Sequence, residues 1–86
     1  MSLFDILLLI SLPKKDSIVN RIKDILEEKN MTQVHLGEKI GKSFETINAY
    51  CSNRRQPSLD ILFKISLVLD CSVKDLLVDN KNLNLE

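Results

Sequence analysis

The stretch TQVHLGEKIGKSFETINAYCS, residues 32–52, decides the fold. Apolar side chains recur along each of its halves at the spacing of one helix face. Gly41 separates the halves, and it suits the left-handed residue that ends a helix, because a side chain is strained there. Thr32 and Ser43 are residue types that cap a helix start. The sequence therefore predicts two short helices, helix 2 and helix 3, joined by a three-residue turn.

Gly37 lies inside helix 2, where glycine costs roughly 1 kcal/mol relative to alanine. A tight turn makes the two helices cross steeply, so that one residue of helix 2 lies almost against helix 3. Gly37 is small enough for that contact. The wedge between the helices would be filled by the apolar side chains of Leu36, Ile40, Ile47 and Tyr50. This arrangement is a helix-turn-helix.

Three further helices are predicted around the motif, which makes the domain all-α. Helix 1 spans about 17–29, with isoleucine and leucine at helical spacing. Helix 4 begins at Ser58, runs to about Leu69 and is apolar on two sides. The segment from Ser72 to Asp75 indicates a capping box that starts a short helix 5. Two glycines and two prolines are too few for the turns of a β-rich fold.

Composition excludes several classes of protein. The 86 residues suit one small domain, and twelve basic residues balance twelve acidic ones, so the chain is not generally basic. Residues 29–55 nevertheless carry a net charge of +3, whereas residues 1–28 carry −1 and residues 56–86 carry −2. Cys51, Cys71 and the single His35 make neither a disulfide scaffold nor a zinc site, and no cofactor or metal is expected. Without a phosphate-cradling glycine loop or a paired nucleophile, an enzyme is not expected either.

The motif and its flanks resemble the lambda-repressor-like, Xre-type DNA-binding domains over about 17–78. The resemblance includes Gln33 opening helix 2, Leu36-Gly37, Ile40-Gly41, Ser43, Ile47, NRRQPSLDILFKIS and SVKDLL. Three positions depart from the family pattern: Gly37 stands for the usual alanine, Lys42 for a frequent aliphatic residue, and Cys51-Ser52-Asn53 for Glu-x-Gly. The resemblance implies a compact five-helix domain, plus the apolar N-terminal extension, that regulates transcription by binding double-stranded DNA.

The resemblance also implies which residues touch DNA. Helix 3 would enter the major groove, because a helix with side chains is about 10–12 Å across and the groove is about 12 Å wide. Base contacts are expected from its outward side chains: Phe44, Glu45, Thr46, Asn48 and Ala49. Backbone contacts are expected from residues at helix starts and in the flanking loops: Gln33, Lys42, Ser43, Asn53, Arg54 and Arg55. Glu45 has an alternative role, in which it repels wrong sites and reads no base.

An apolar run at 3–12 is too short to span a bilayer and lacks the features of a signal peptide, so no membrane association is expected. We divide the chain into an N-terminal extension (1–16), the DNA-binding domain (17–78) and a polar tail (79–86). The second face of helix 4 favours a homodimer interface, joined by the N-terminal run: Ile61, Ile65, Val68, Leu7 and Leu9. Alternatively, the run covers the core of its own domain.

Two functions from different classes are compatible with this sequence. The favoured one is a sequence-specific regulator, dimeric, cytoplasmic, from a prokaryote or phage, with no small-molecule effector expected. The alternative is a helical protein-interaction module, or an antitoxin-type component, on the same fold. Neutral net charge and Glu45 on the reading face give the alternative slight support. Duplex binding that weakens steeply with salt would distinguish the regulator from the alternative.

Overall fold

The computed structural model describes residues 18–79. Within that range the chain forms four α-helices and a final 3-10 helix: α1 (Ile22–Glu28), α2 (Gln33–Ile40), α3 (Phe44–Cys51), α4 (Leu59–Leu69) and the 3-10 helix Val73–Leu76. No strand occurs between residues 18 and 79; a single antiparallel bridge joins Asn20 and Leu77. The predicted all-α class is confirmed for this range. The predicted extension (1–16) and most of the tail (80–86) lie outside the described residues.

The caps predicted for the middle helices are confirmed. The side chains of Thr32, Ser43 and Ser58 accept hydrogen bonds from the backbone N–H groups that open α2, α3 and α4. Gly41 ends α2 in the left-handed conformation, with φ of 74°. Side-chain oxygens that satisfy the first free N–H groups stabilise a helix start, and glycine avoids the strain of a left-handed end. Local chemistry therefore sets these boundaries.

The two outer elements differ from the prediction. α1 begins at Ile22 instead of about 17, and the predicted short helix 5 is a four-residue 3-10 helix with its capping box present, so residues 18–79 form four α-helices and not the predicted five helices. Arg21 N donates to Leu76 O at 2.7 Å, and Val78 N donates to Val19 O at 2.9 Å. This pairing holds both segments extended, so neither helix continues through it. Ile18, predicted within helix 1, is therefore outside it and 45% exposed.

The core receives at least one fully buried side chain from every helix: Ile22, Leu36, Ile47, Ile65, Leu69 and Leu76. Gly37 is packed where α2 meets the turn. A Cβ on it would lie 2.6 Å from the Lys42 carbonyl oxygen and 3.4 Å from Ile47 Cγ1. Real Cβ atoms do not approach backbone that closely, so glycine is what this crossing requires. The predicted close approach at Gly37 is confirmed.

The predicted second face of helix 4 needs correction. Ile65 is fully buried in its own chain, and Ile61 and Val68 are partly buried against the same core. The apolar side chains that α4 exposes are Leu59 (67%), Phe63 (53%) and Leu67 (80%). They are spaced four residues apart, which places them on one side of the helix. We call these three residues the α4 stripe. Ile65 is therefore a core residue and not an interface residue.

Candidate nucleic-acid interface

α3 presents one polar side outward and buries the other. Ile47 and Tyr50 are buried and fix the helix to the core, whereas Phe44 is 50% exposed. Glu45 is also exposed, and Thr46 and Asn48 are half-buried beside it. Ser43 Oγ caps the helix by accepting from Thr46 N at 3.2 Å and donates to Thr46 Oγ1 at 3.0 Å. The exposed start of α3 therefore carries most of the predicted base-contact residues on one surface.

Ala49 does not belong to that surface. Its side chain is buried, at 8% exposure. The chain after α3 folds back over it, so that Arg54 N and Arg55 N both donate to Ala49 O, at 3.0 and 3.3 Å. A methyl group buried to this extent offers little area to a thymine methyl. The prediction of a base contact by Ala49 was wrong, because the loop after α3 could not be placed from helical spacing alone.

A chain of side-chain hydrogen bonds joins residues predicted for base and backbone contacts. Arg54 Nη2 donates to Asn48 Oδ1 at 3.0 Å, and Asn48 Nδ2 donates to Gln33 Oε1 at 3.1 Å. Arg54 Nε also donates to Ser52 Oγ at 2.9 Å. We call these four residues the Arg54–Gln33 chain. It ties the start of α2 to the end of α3 across the helix-turn-helix.

The Arg54–Gln33 chain has a defined direction. A guanidinium group only donates hydrogen bonds, so the Asn48 amide must turn its oxygen to Arg54 and its nitrogen to Gln33. Gln33 must then turn its own oxygen to Asn48, and its Nε2 faces away from the chain. The free end is consequently an N–H donor at the N-terminus of α2, where backbone N–H groups also point outward. This end of the surface suits an anion.

Asn53 has a structural role instead of the predicted contact with the DNA backbone. Its Oδ1 accepts from Val19 N at 2.9 Å and from Asn20 N at 3.0 Å, and its Nδ2 donates to Asn20 O at 3.2 Å. These bonds engage both Oδ1 and Nδ2 and hold the side chain against the backbone of residues 19 and 20. Its backbone is left-handed, with φ of 61°. We therefore correct the prediction: Asn53 holds the segment before α1 against the loop after α3.

Asn20 completes this polar cluster, and sequence reasoning missed it. Its side chain is 4% exposed, and its Nδ2 donates to Tyr50 O at 2.9 Å and to Gln56 Oε1 at 2.7 Å. It thus fixes the end of α3 and the loop that follows. Its Oδ1 also accepts from Ile22 N at 3.0 Å, a local bond at the start of α1, whereas the two partners of its Nδ2 lie 30 and 36 residues further along the chain and could not be predicted from local sequence.

The remaining predicted backbone-contact residues surround α3 on its flanking turns. Lys42 is half-buried in the turn before the helix, and Arg55 is exposed after it. Leu7 and Leu9, predicted for a dimer interface, lie outside the described residues. Lys23 of α1 was not predicted, yet it lines a surface depression of about 120 Å³ together with Gln33, Asn48, Cys51 and Ser52.

Neither metal binding nor thiol chemistry is indicated between residues 18 and 79. No group of three or more histidine, cysteine or acidic side chains is placed there to hold a metal ion. Cys51 and Cys71 are both free. Burial raises the pKa of the Cys51 thiol to about 11, against a smaller opposing effect of the Lys23 ammonium. A thiol that stays protonated is a weak nucleophile, so Cys51 serves as a core residue.

Between residues 18 and 79, no helix has the length and apolar character needed to cross a membrane.

Comparison with known proteins agrees with this geometry. A family model described as helix-turn-helix matches residues 22–76, the whole span from α1 to the 3-10 helix. The chain belongs to this helix-turn-helix family. A relative from Archaeoglobus fulgidus, described as an "uncharacterized HTH-type transcriptional regulator", is 33% identical over 58 residues, which is 67% of this chain and 82% of the relative.

A crystal structure of a protein from Bacteroides fragilis, described as a "putative DNA-binding protein", superposes with a TM-score of 0.69. It is 45% identical in sequence, and the match covers 70% of this chain and 97% of that one. Both relatives match most of their own length. This family member therefore shares a complete domain, and not an isolated motif, with proteins described as DNA-binding or regulatory.

Proposed function

We propose that the protein is a sequence-specific regulator of transcription that inserts α3 into the major groove of double-stranded DNA. The observation that carries the proposal is the exposed polar side of α3, flanked by donors that the Arg54–Gln33 chain holds in place. Internal hydrogen bonds engage the oxygens of Asn48 and Gln33, which leaves donors facing outward. Donors at the rim of a groove-sized helix are what phosphates require, and they fix the register of the helix on the duplex.

Base selection in this proposal is performed by Phe44, Glu45 and Thr46. Phe44 and the Thr46 methyl group offer apolar contact to thymine methyls, and Glu45 can accept from a cytosine amino group. Asn48 uses one Nδ2 hydrogen and one Oδ1 lone pair in its internal hydrogen bonds, and its second Nδ2 hydrogen is proposed to be available for a base contact. No arginine lies in α3, so the helix itself offers no bidentate guanine contact. Lys42, Ser43, Arg54, Arg55 and Gln33 are proposed to contact the DNA backbone.

A homodimer is part of the proposal, because two copies can read half-sites about 34 Å apart, one turn of the duplex. The α4 stripe is proposed as the described part of the interface. At roughly 200 Å² for each full side chain, its exposed fractions amount to about 400 Å². Stable interfaces bury about 800 Å² per partner. The stripe supplies half of that area, and the apolar residues 3–12, including Leu7 and Leu9, are proposed to supply the rest.

The proposal is tested by selecting bound duplexes from random DNA and measuring affinity for the selected site and for an unrelated duplex. Glu45→Ala should change the preferred base at one position and leave affinity for the unrelated duplex unchanged. An unchanged preference would refute the assigned reading role of Glu45. Absence of salt-sensitive binding to any duplex would refute the function as a whole.

The dimer is tested separately by sedimentation at micromolar concentration. Leu67→Asp should shift the full chain from dimer to monomer, because Leu67 is the most exposed member of the stripe and makes little contact with its own core. Lys64→Gln, three residues earlier on the same helix, lowers the net charge by the same one unit and is the matched control. A strict monomer in the unsubstituted chain would refute the dimer.

A further inference from the structure

The depression beside the Arg54–Gln33 chain collects residues from three different elements. Lys23 comes from α1, Gln33 from the start of α2, and Asn48, Cys51 and Ser52 from the end of α3. The sequence predicted a backbone contact for Gln33 and a contact with an adenine or a phosphate for Asn48, and it predicted no DNA contact for Lys23. Lys23 falls in the part of the sequence whose net charge is −1, so charge counting along the chain gave no reason to consider it.

The hydrogen-bonding groups around this depression that remain free are donors. Gln33 Nε2 faces away from Asn48, as the direction of the Arg54–Gln33 chain requires. Ser52 Oγ donates to Ala49 O at 3.2 Å and accepts from Arg54, so it is occupied by its own chain. The Lys23 ammonium has no carboxylate within 4 Å among residues 18–79. Arg21, the residue just before α1, by contrast pairs with Asp24 and Glu28.

We propose that Lys23 and Gln33 together bind one phosphate of the DNA backbone at this depression. This inference rests on the proposed function and adds a contact from α1 to it. Lys23 stands beside the last turn of α3, where the depression opens next to the free Gln33 amide. A phosphate there receives a charged donor and a neutral donor from two helices, which fixes the tilt of α3 in the groove.

The test compares Lys23→Gln, Lys23→Arg and Lys64→Gln in the full chain, on a selected duplex and on an unrelated duplex of equal length. Lys64→Gln makes the same change of charge on α4 and does not line the depression. Affinity is measured at several salt concentrations. Thermal unfolding of each variant checks that the fold is unchanged, since Lys23 is exposed.

Lys23→Gln should lower the slope of log affinity against log salt by about 0.9, equivalent to about a fivefold loss of affinity at 0.15 M salt. The loss should be equal on both duplexes, because a phosphate carries no sequence information. Lys23→Arg should retain the slope, and Lys64→Gln should match the unsubstituted chain. Salt-dependent binding with an unchanged slope in Lys23→Gln overturns the Lys23 contact alone. If the unsubstituted chain binds no duplex, the proposed function falls as well.

Discussion

Replacing Asn53 with alanine should destabilise the domain by about 3 kcal/mol. The change leaves two backbone N–H groups, those of Val19 and Asn20, without their acceptor. Each costs about 1 kcal/mol, the low end of the range for unsatisfied donors, because both hydrogen bonds to Asn53 are only partly buried. Alanine at φ of 61° adds about 1 kcal/mol of backbone strain. For a domain of this size, that total corresponds to a fall of about 12–24 °C in the melting temperature.

Two further variants separate the cost of the lost hydrogen-bond acceptor from the cost of backbone strain. Asn53→Gly relieves the strain at positive φ but removes the side chain, so it should cost about 2 kcal/mol. Asn53→Asp keeps the accepting oxygen and loses only the Nδ2 donor to Asn20 O, so it should cost the least of the three. Arg55→Ala, two residues away with an exposed side chain, is the control and should change stability by less than 0.5 kcal/mol.

The measurement is urea or thermal unfolding followed by circular dichroism, together with DNA affinity at a temperature where each variant is folded. The reasoning requires a large loss of stability and little loss of affinity in folded Asn53→Ala. A melting temperature within 4 °C of the unsubstituted chain, combined with a clear loss of affinity, would refute it. That result would restore the contact with the DNA backbone that the sequence predicted for Asn53.

Two other predictions concern the core. Gly37→Ala should destabilise the domain by about 1 kcal/mol, measured by urea unfolding. Pushing a Cβ against the Lys42 carbonyl costs about 2 kcal/mol, and the higher helix propensity of alanine offsets about 1 kcal/mol of that cost. A gain in stability would contradict the close approach. The pKa of the Cys51 thiol is about 11 in the folded chain, against an ordinary value of 9.0, so the unfolded chain loses this proton at lower pH than the folded chain does. The free energy of unfolding should therefore be constant below pH 9 as far as this thiol is concerned, and it should fall as the pH rises from 9 to 11. Cys51→Ala should flatten that part of the pH profile, and a loss of equal size in the variant would exclude the thiol as its cause.

Local chemistry made the middle of the fold predictable from sequence. Thr32, Ser43, Ser58 and Gly41 each act on neighbours within four residues, so their effects could be read in order along the chain. The steric requirement at Gly37 was also available, since a short turn implies a close crossing. These signals do not depend on which distant segment the helices pack against.

Long-range pairing explains why the outer elements were mispredicted. The end of the domain meets its beginning through Val78 and Val19, and this contact overrides the helical pattern on both sides. Sequence spacing also could not show which face of α4 is buried in the core, because apolar residues lie on two of its faces. Ile65 and Leu67 are only two positions apart, yet one is fully buried and the other is 80% exposed.

The candidate site was predictable where it follows helical spacing and unpredictable where it depends on the loop after α3. Phe44, Glu45 and Thr46 lie on the expected side of the helix. Ala49 is buried, with its carbonyl bonded to the returning loop, and Asn53 serves as a structural support. One signal for Asn53 was present, because asparagine is among the few residues that tolerate positive φ, and it stands where the family has glycine.

The pairing of residues 19–21 with 76–78 also has a consequence for synthesis of the protein. Asn20 Oδ1 accepts from Ile22 N at the start of α1, but the N–H of Arg21, just before the helix, is bonded to the distant Leu76 O. Translation delivers that acceptor more than fifty residues later. A nascent chain therefore cannot close the domain until residue 78 has cleared the ribosome.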